Sequence, residues 1–179
     1  MQQSGATLLE LMVVLAISAI LLAIGIPSFA ALTSNSRLAS ATNELVSSLH
    51  LARSEAIKRN SRVVMCPSET GISCADSGGW HQGWVVFHDP NNNAVLDAEE
   101  TVVSAREALP AGLRVTSVGS TAKYISYAPS GGTKQITGAW QGGTLTLCSE
   151  SGALNSARKV IVSSTGRPRT EKITLASCP

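Results

Sequence analysis

Glu10 is the only charged side chain between Ala6 and Ser36, and it sits in a run of apolar residues. A carboxylate in a membrane-length apolar segment is costly, so such a residue marks a functional site by default, with a partner that neutralises it. The competing reading is a Glu10 solvated at headgroup level, since charges near helix ends are tolerated better than at the midplane. At the other end of the chain Arg158, Lys159, Arg167, Arg169 and Lys172 outnumber Glu150 and Glu171. Arg167 and Arg169 stand in the compact run Gly166-Arg167-Pro168-Arg169. Two arginines on an exposed turn can reach adjacent phosphates and release their counterions. Contacts of that kind read the nucleic-acid backbone and not the bases. Arg167 and Arg169 are the leading candidates, with Lys172 and Arg158 assisting if one exposed surface holds them all. The alternative is a solvated turn with weak surface ion pairs.

A third grouping is the twelve-residue stretch from Asp89 to Glu100. Asp89, Asn91, Asn93, Asp97 and Glu100 place oxygens at its first, third, fifth, ninth and twelfth positions. A hard cation needs such an oxygen cage, and the spacing resembles an EF-hand calcium loop. The sixth position is Ala94, where that loop uses glycine for its sharp turn, and no helix enters the stretch. The other reading is a polar turn whose Asp and Asn side chains satisfy backbone groups. Calcium is the one cofactor the sequence raises. Cys66, Cys74, Cys148 and Cys178 form an even set without C-x-x-C spacing, which argues for disulfides over metal or redox chemistry. Three pairings are open. Cys66–Cys74, a local loop, and Cys148–Cys178, which would tie down the tail, are favoured.

Catalysis finds little support. His50, His81 and His88 lack metal-ligand spacing, and no nucleophile elbow or phosphate loop is present. His81 and His88 flank the strand-like Trp84–Phe87, and Trp80, Trp84 and Trp140 read as packing. The chain is not read as an enzyme. Net charge is +2, which by itself argues for no particular partner.

These residues must be positioned by two kinds of element. Leu11 to Ala31 is long enough to cross a bilayer, where ~20 apolar residues at ~1.5 Å each span a ~30 Å core. The apolar run is too long for a secretory signal core, and the small residues Ser4-Gly5-Ala6 precede it. Pro27 would remove one hydrogen bond and kink a helix that otherwise continues. From Ser34 to Lys58, Leu38, Ala41, Leu45, Leu49, Ala52 and Ala56 recur at helical spacing on one face. The spacing predicts one helix of about fifty residues, half in lipid and half packed on a domain. Beyond it, eight short β-branched segments alternate with turn residues. The segments are 61–65, 84–87, 101–105, 113–117, 124–127, 144–148, 159–163 and 172–176. The expected fold class is α+β, a long N-terminal helix packed on antiparallel β-sheet.

Gly5-Ala6-Thr7-Leu8-Leu9-Glu10-Leu11-Met12-Val13 resembles the type III signal of type IV prepilins and type II secretion pseudopilins. The resemblance implies cleavage between Gly5 and Ala6 by a prepilin peptidase and methylation of the new N-terminus. It implies that Glu10 pairs with the amino terminus of a neighbouring subunit during assembly. An ammonium would neutralise the carboxylate in an apolar fibre core. Ala6 stands where the family usually has Phe, and Met1–Ser4 carries no Lys or Arg where the leader usually does. Leu45–Arg59, Gly83–Phe87 with Asp89, Leu145–Cys148 and Ile161–Arg169 closing on Cys178 resemble the GspH/FimT family of minor pilins and pseudopilins. By this resemblance, residues 1–5 are leader and 6–31 the transmembrane assembly helix. Residues 32–60 are its amphipathic continuation and 61–179 a β-rich periplasmic domain of type IV pilin-like fold. The implied role is a minor pilin, FimT- or FimU-like, that primes or tips a pilus. The alternative is a pseudopilin at a type II secretion tip. The Gly-Arg-x-Arg run resembles that of FimT-type pilins that bind DNA for natural transformation. Implied partners are other pilin subunits, the prepilin peptidase, the inner membrane and, for the tail, double-stranded DNA.

Overall fold

The computed structural model describes residues 7–150 and 156–178. One helix, α1 (Leu8–Arg59), opens the chain. Thr7 caps it: its hydroxyl accepts from the Glu10 N–H at 3.3 Å, and Glu10 Oε2 accepts from the Thr7 N–H at 3.5 Å. This reciprocal pair is a capping box, which satisfies N–H groups that have no partner inside the helix. Pro27 lies within α1, and the helix continues through it. Asn60 ends the helix in a left-handed conformation at φ 48°, its N–H directed to the Ala56 and Ile57 carbonyls. Lys58 and Arg59 in the last turn suit the negative end of the helix dipole and both pair with Glu55. Their hydrogen bonds, Arg59 first, hold the Glu55 carboxyl below the usual carboxylate range.

Eight strands follow among the described residues. They are β1 (Val63–Pro67), β2 (Trp84–His88), β3 (Val102–Arg106), β4 (Leu113–Gly119), β5 (Ile125–Tyr127), β6 (Gly143–Ser149), β7 (Ser156–Val162) and β8 (Pro168–Thr174). They form two four-stranded antiparallel sheets, ordered β3-β2-β1-β5 and β4-β6-β7-β8. The sequence pattern located all eight segments but started the last two late, with β7 expected at 159 and found from Ser156. The chain turns at 163–167 and enters β8 at Pro168, four residues before the expected start. Gly166 makes that early turn possible. It adopts φ +76°, and a Cβ there would collide with the Gly131 carbonyl oxygen. Glycine reaches this conformation without steric cost.

Both sheets bury a face against the second half of α1. Leu38, Leu45, Leu49, Ala52 and Ala56 meet Val63, Met65 and Val86 from the first sheet. They also meet Val115, Leu145, Leu147, Val160 and Val162 from the second. Each fully buried Leu or Val contributes roughly 1.5–3 kcal/mol relative to exposure. In the first sheet, β1 and β2 are buried on their other face too. There Val64, Cys66, Val85 and Phe87 are covered by Cys74, Ala94, Leu96 and Tyr124 from the connecting loops.

Candidate functional site

Among the described residues, the first half of α1 carries most of the exposed large apolar side chains. Its large side chains from Leu8 to Leu32 all stand exposed. An 18-residue window here is long and apolar enough to cross a membrane and has none of its residues buried. Glu10 is also exposed, and its carboxylate is occupied by the cap on Thr7. The Thr-x-x-Glu signature was present in the sequence and shows that Glu10 has a local partner in the single subunit as well as any partner in a fibre. Gly5 and Ala6, the expected processing pair, lie outside the described residues.

The four basic tail residues do not share one surface. Arg158 and Lys172 lie directly opposite each other in the β7–β8 ladder. They fall on the side of the sheet that also carries Val160 and Val162 into the core. Arg169 pairs with Ile161 and projects from the opposite face. Arg167 stands exposed on the turn, where its carbonyl accepts a 3.4 Å bond from the Ser163 hydroxyl. The expectation of a free Gly-Arg-Pro-Arg turn is therefore corrected. Pro168 and Arg169 belong to a strand, because the left-handed Gly166 completes the reversal before them. The sheet puts Lys159 on the Arg169 face, directly opposite Glu171. Period-two alternation could have found this separation had the strand boundary been placed at Pro168.

The loop from Asp89 to Glu100 closes on its own side chains. Asp89 is fully buried, and its two oxygens accept from the Asn93 and Ala94 N–H groups at 3.1 and 3.0 Å. Asn91 and Asn93 each donate to Asp97 Oδ2 at 2.8 Å, and these bonds hold the Asp97 carboxyl below its usual range. Asn92 and Ala94 take positive φ values of 60° and 57°. The sharp turn thus forms without the glycine that a calcium loop uses at its sixth position. Glu100 accepts from the Asp97 N–H at 3.2 Å. Burial, with the Asp89 and Asp97 charges adding to it, pushes its carboxyl up. Among the described residues no three His, Cys, Asp or Glu side chains form a group that could hold a metal ion. Asp89, Asn91 and Asn93 spend their side-chain oxygens on the turn. Asn92 Oδ1 and Glu100 Oε1 are buried without a hydrogen-bond partner among the described residues, and Ala94 and Leu96 use the loop to cover the first sheet.

The structure pairs Cys66 with Cys74 and Cys148 with Cys178. Trp80 and Trp84 are buried, and Trp80 donates to the Thr121 carbonyl at 3.1 Å. Trp140 is exposed, with the Lys134 ammonium 5.1 Å from its ring centroid.

A single helix, apolar and bare over its first half and buried over its second against antiparallel sheets, defines a pilin-type subunit. The family model for the type II transport protein GspH matches residues 41–166, more than half of the chain. A prokaryotic N-terminal methylation motif matches residues 1–26. The chain belongs to the GspH family. Among solved structures it is similar to the type IV minor pilin FimU of Pseudomonas aeruginosa, at 19% identity and a TM-score of 0.58. That match covers 83% of this chain and 99% of the FimU chain. It is also similar to the minor pseudopilin EpsH from the type 2 secretion system of Vibrio cholerae, at 11% identity and a TM-score of 0.51. That match covers 77% of this chain and 97% of EpsH. At these identities the likeness establishes the fold. The comparison with curated protein sequences returned no match.

Proposed function

We propose that this chain is a minor type IV pilin that primes or tips a pilus. In this reading it is anchored in the inner membrane by the first half of α1, with its β-rich domain in the periplasm. One observation carries the reading: a membrane-length apolar surface that the chain itself leaves bare, interrupted by one carboxylate near its start. Leaving such a surface in water is unfavourable, so lipid first and neighbouring helices later must cover it. Peptidase cleavage between Gly5 and Ala6 would create an ammonium close to the Thr7–Glu10 cap. Glu10 then exchanges its cap for the ammonium of a neighbouring subunit. Replacing Glu10 by Ala is expected to leave a membrane-bound subunit that is lost from sheared pili by tenfold or more, read by immunoblot. Normal incorporation of Glu10→Ala would refute the assembly role. A type II secretion pseudopilin is the alternative, favoured if gene loss abolishes exoprotein release and spares pilus-dependent motility.

A second reading rests on exposed Arg167 and Arg169 at the end of the β7–β8 hairpin. In it they bind double-stranded DNA through phosphates during natural transformation. Binding by the full-length protein in detergent should weaken with salt, and Arg167→Gln/Arg169→Gln should cost about tenfold at low salt. The Arg158→Gln/Lys172→Gln pair lies on the other face and should cost little. Equal losses from the two double variants would reject this site. A subordinate reading is calcium held by Asp89, Asn91, Asn93, Asp97 and Glu100, for which millimolar calcium should raise the thermal midpoint of the wild type but not of Glu100→Gln.

A further inference from the structure

We propose that the cleft where α1 leaves the domain binds one anionic phospholipid of the leaflet the domain rests on. This rests on the membrane-anchor reading. The cleft has a volume of about 390 Å³, within the ~300–1,000 Å³ of small-molecule sites. Phe29, Ala30 and Arg37 line it from the helix, and Ala111, Leu113 and Ser149 from the domain. Its hydroxyl groups are already partnered. Thr33 donates to the Phe29 carbonyl at 3.0 Å, and the Ser34 and Ser149 hydroxyls meet at 3.0 Å. What remains is an apolar wall with one cation at its rim. Among the described residues the Arg37 side chain has no hydrogen bond or ion pair, whereas Arg114 is paired with Glu150.

Depth selects the occupant. Leu8 to Ala31 runs roughly 36 Å at ~1.5 Å per residue, so Phe29–Ala31 lies at the far edge of a ~30 Å hydrocarbon core. Arg37 lies two turns further on, its Cα–Cβ bond tilted back toward the helix N-terminus and hence toward the headgroups. A guanidinium matches a phosphate with two parallel hydrogen bonds. The acyl chain would continue from Phe29 and Ala30 along the bare helix into the bilayer. A second copy fits this cleft poorly. Its own membrane half carries one acid, Glu10, at the opposite end of the span, so it offers no countercharge at this depth.

The test is native mass spectrometry of the full-length protein from neutral detergent, with phosphatidylglycerol or phosphatidylcholine added. The wild type should retain one phosphatidylglycerol in roughly fivefold or greater preference. Arg37→Gln should lose the preference, Ala111→Trp should reduce retention of both lipids by filling the cleft, and Lys123→Gln, an exposed cation away from the cleft, should match the wild type. Equal retention of phosphatidylglycerol by wild type and Arg37→Gln would overturn the site. So would displacement of the lipid by millimolar inorganic phosphate, or an Ala111→Cys crosslink between copies with no lipid bound. Flotation with phosphatidylcholine vesicles, done in parallel, separates the two levels. A wild type that does not float removes the anchor reading, and a wild type that floats without headgroup preference removes only this proposal.

Discussion

Glu100 is disfavoured in its charged form by partial burial, and the nearby Asp89 and Asp97 charges add to that effect. Its carboxyl is raised above the ordinary value of 4.5, so the folded state holds a proton that the unfolded state releases. Stability therefore falls as pH rises above that ordinary value toward the raised one. Glu100→Gln should raise the thermal midpoint at pH 7 by a few degrees, and the gain should vanish below about pH 4.5. Thermal melts across pH check this. Millimolar calcium that stabilises the wild type but not Glu100→Gln would instead make the loop a cation site. At this scale the sequence was informative about residue type and poor about partners. The oxygen spacing from Asp89 to Glu100 was visible, but which oxygens the backbone consumes depends on the positive φ at Asn92 and Ala94. Glu10 stood out by its isolation, while the local Thr7 cap was legible and overlooked.

The second half of α1 does what its apolar spacing predicts, because period 3.6 reports directly which face is buried. Leu49 is fully buried at the middle of that stripe, between the two sheets. Leu49→Ala should destabilise the domain by about 2–5 kcal/mol, read from denaturant midpoints, because the helix and both sheets must relax around the void. Ser47→Ala, exposed on the other face, is the matched control and should fall within about 0.5 kcal/mol. The strands were legible as segments, from β-branched runs between turn residues. Their division into two sheets was not. Alternation shows that a strand has a buried side, but carries no record of which other strand supplies its hydrogen bonds. β1 illustrates the difficulty: all five of its residues are buried, so it shows no alternation at all.

For the whole molecule, two covalent ties lie at separations of 8 and 30 residues. Closing a longer loop removes more entropy from the unfolded chain, so the Cys148–Cys178 bond should contribute roughly 3–4 kcal/mol and Cys66–Cys74 roughly 2–3. Replacing Cys148 and Cys178 by Ala should accordingly lower the denaturant midpoint further than replacing Cys66 and Cys74. The reverse order would show that the shorter loop matters through its cover over the first sheet. The long tie also bears on mechanics. In the proposed fibre, tension would reach the domain through α1, and a domain that yields under load lengthens as its chain is drawn out. The segment between Cys148 and Cys178 would otherwise release roughly 100 Å of slack at ~3.3–3.6 Å per residue. With the bond formed, that length is withheld, and the end of β6 stays tied to the chain beyond β8, so a steady pull can tilt β7 and β8 but not unreel them.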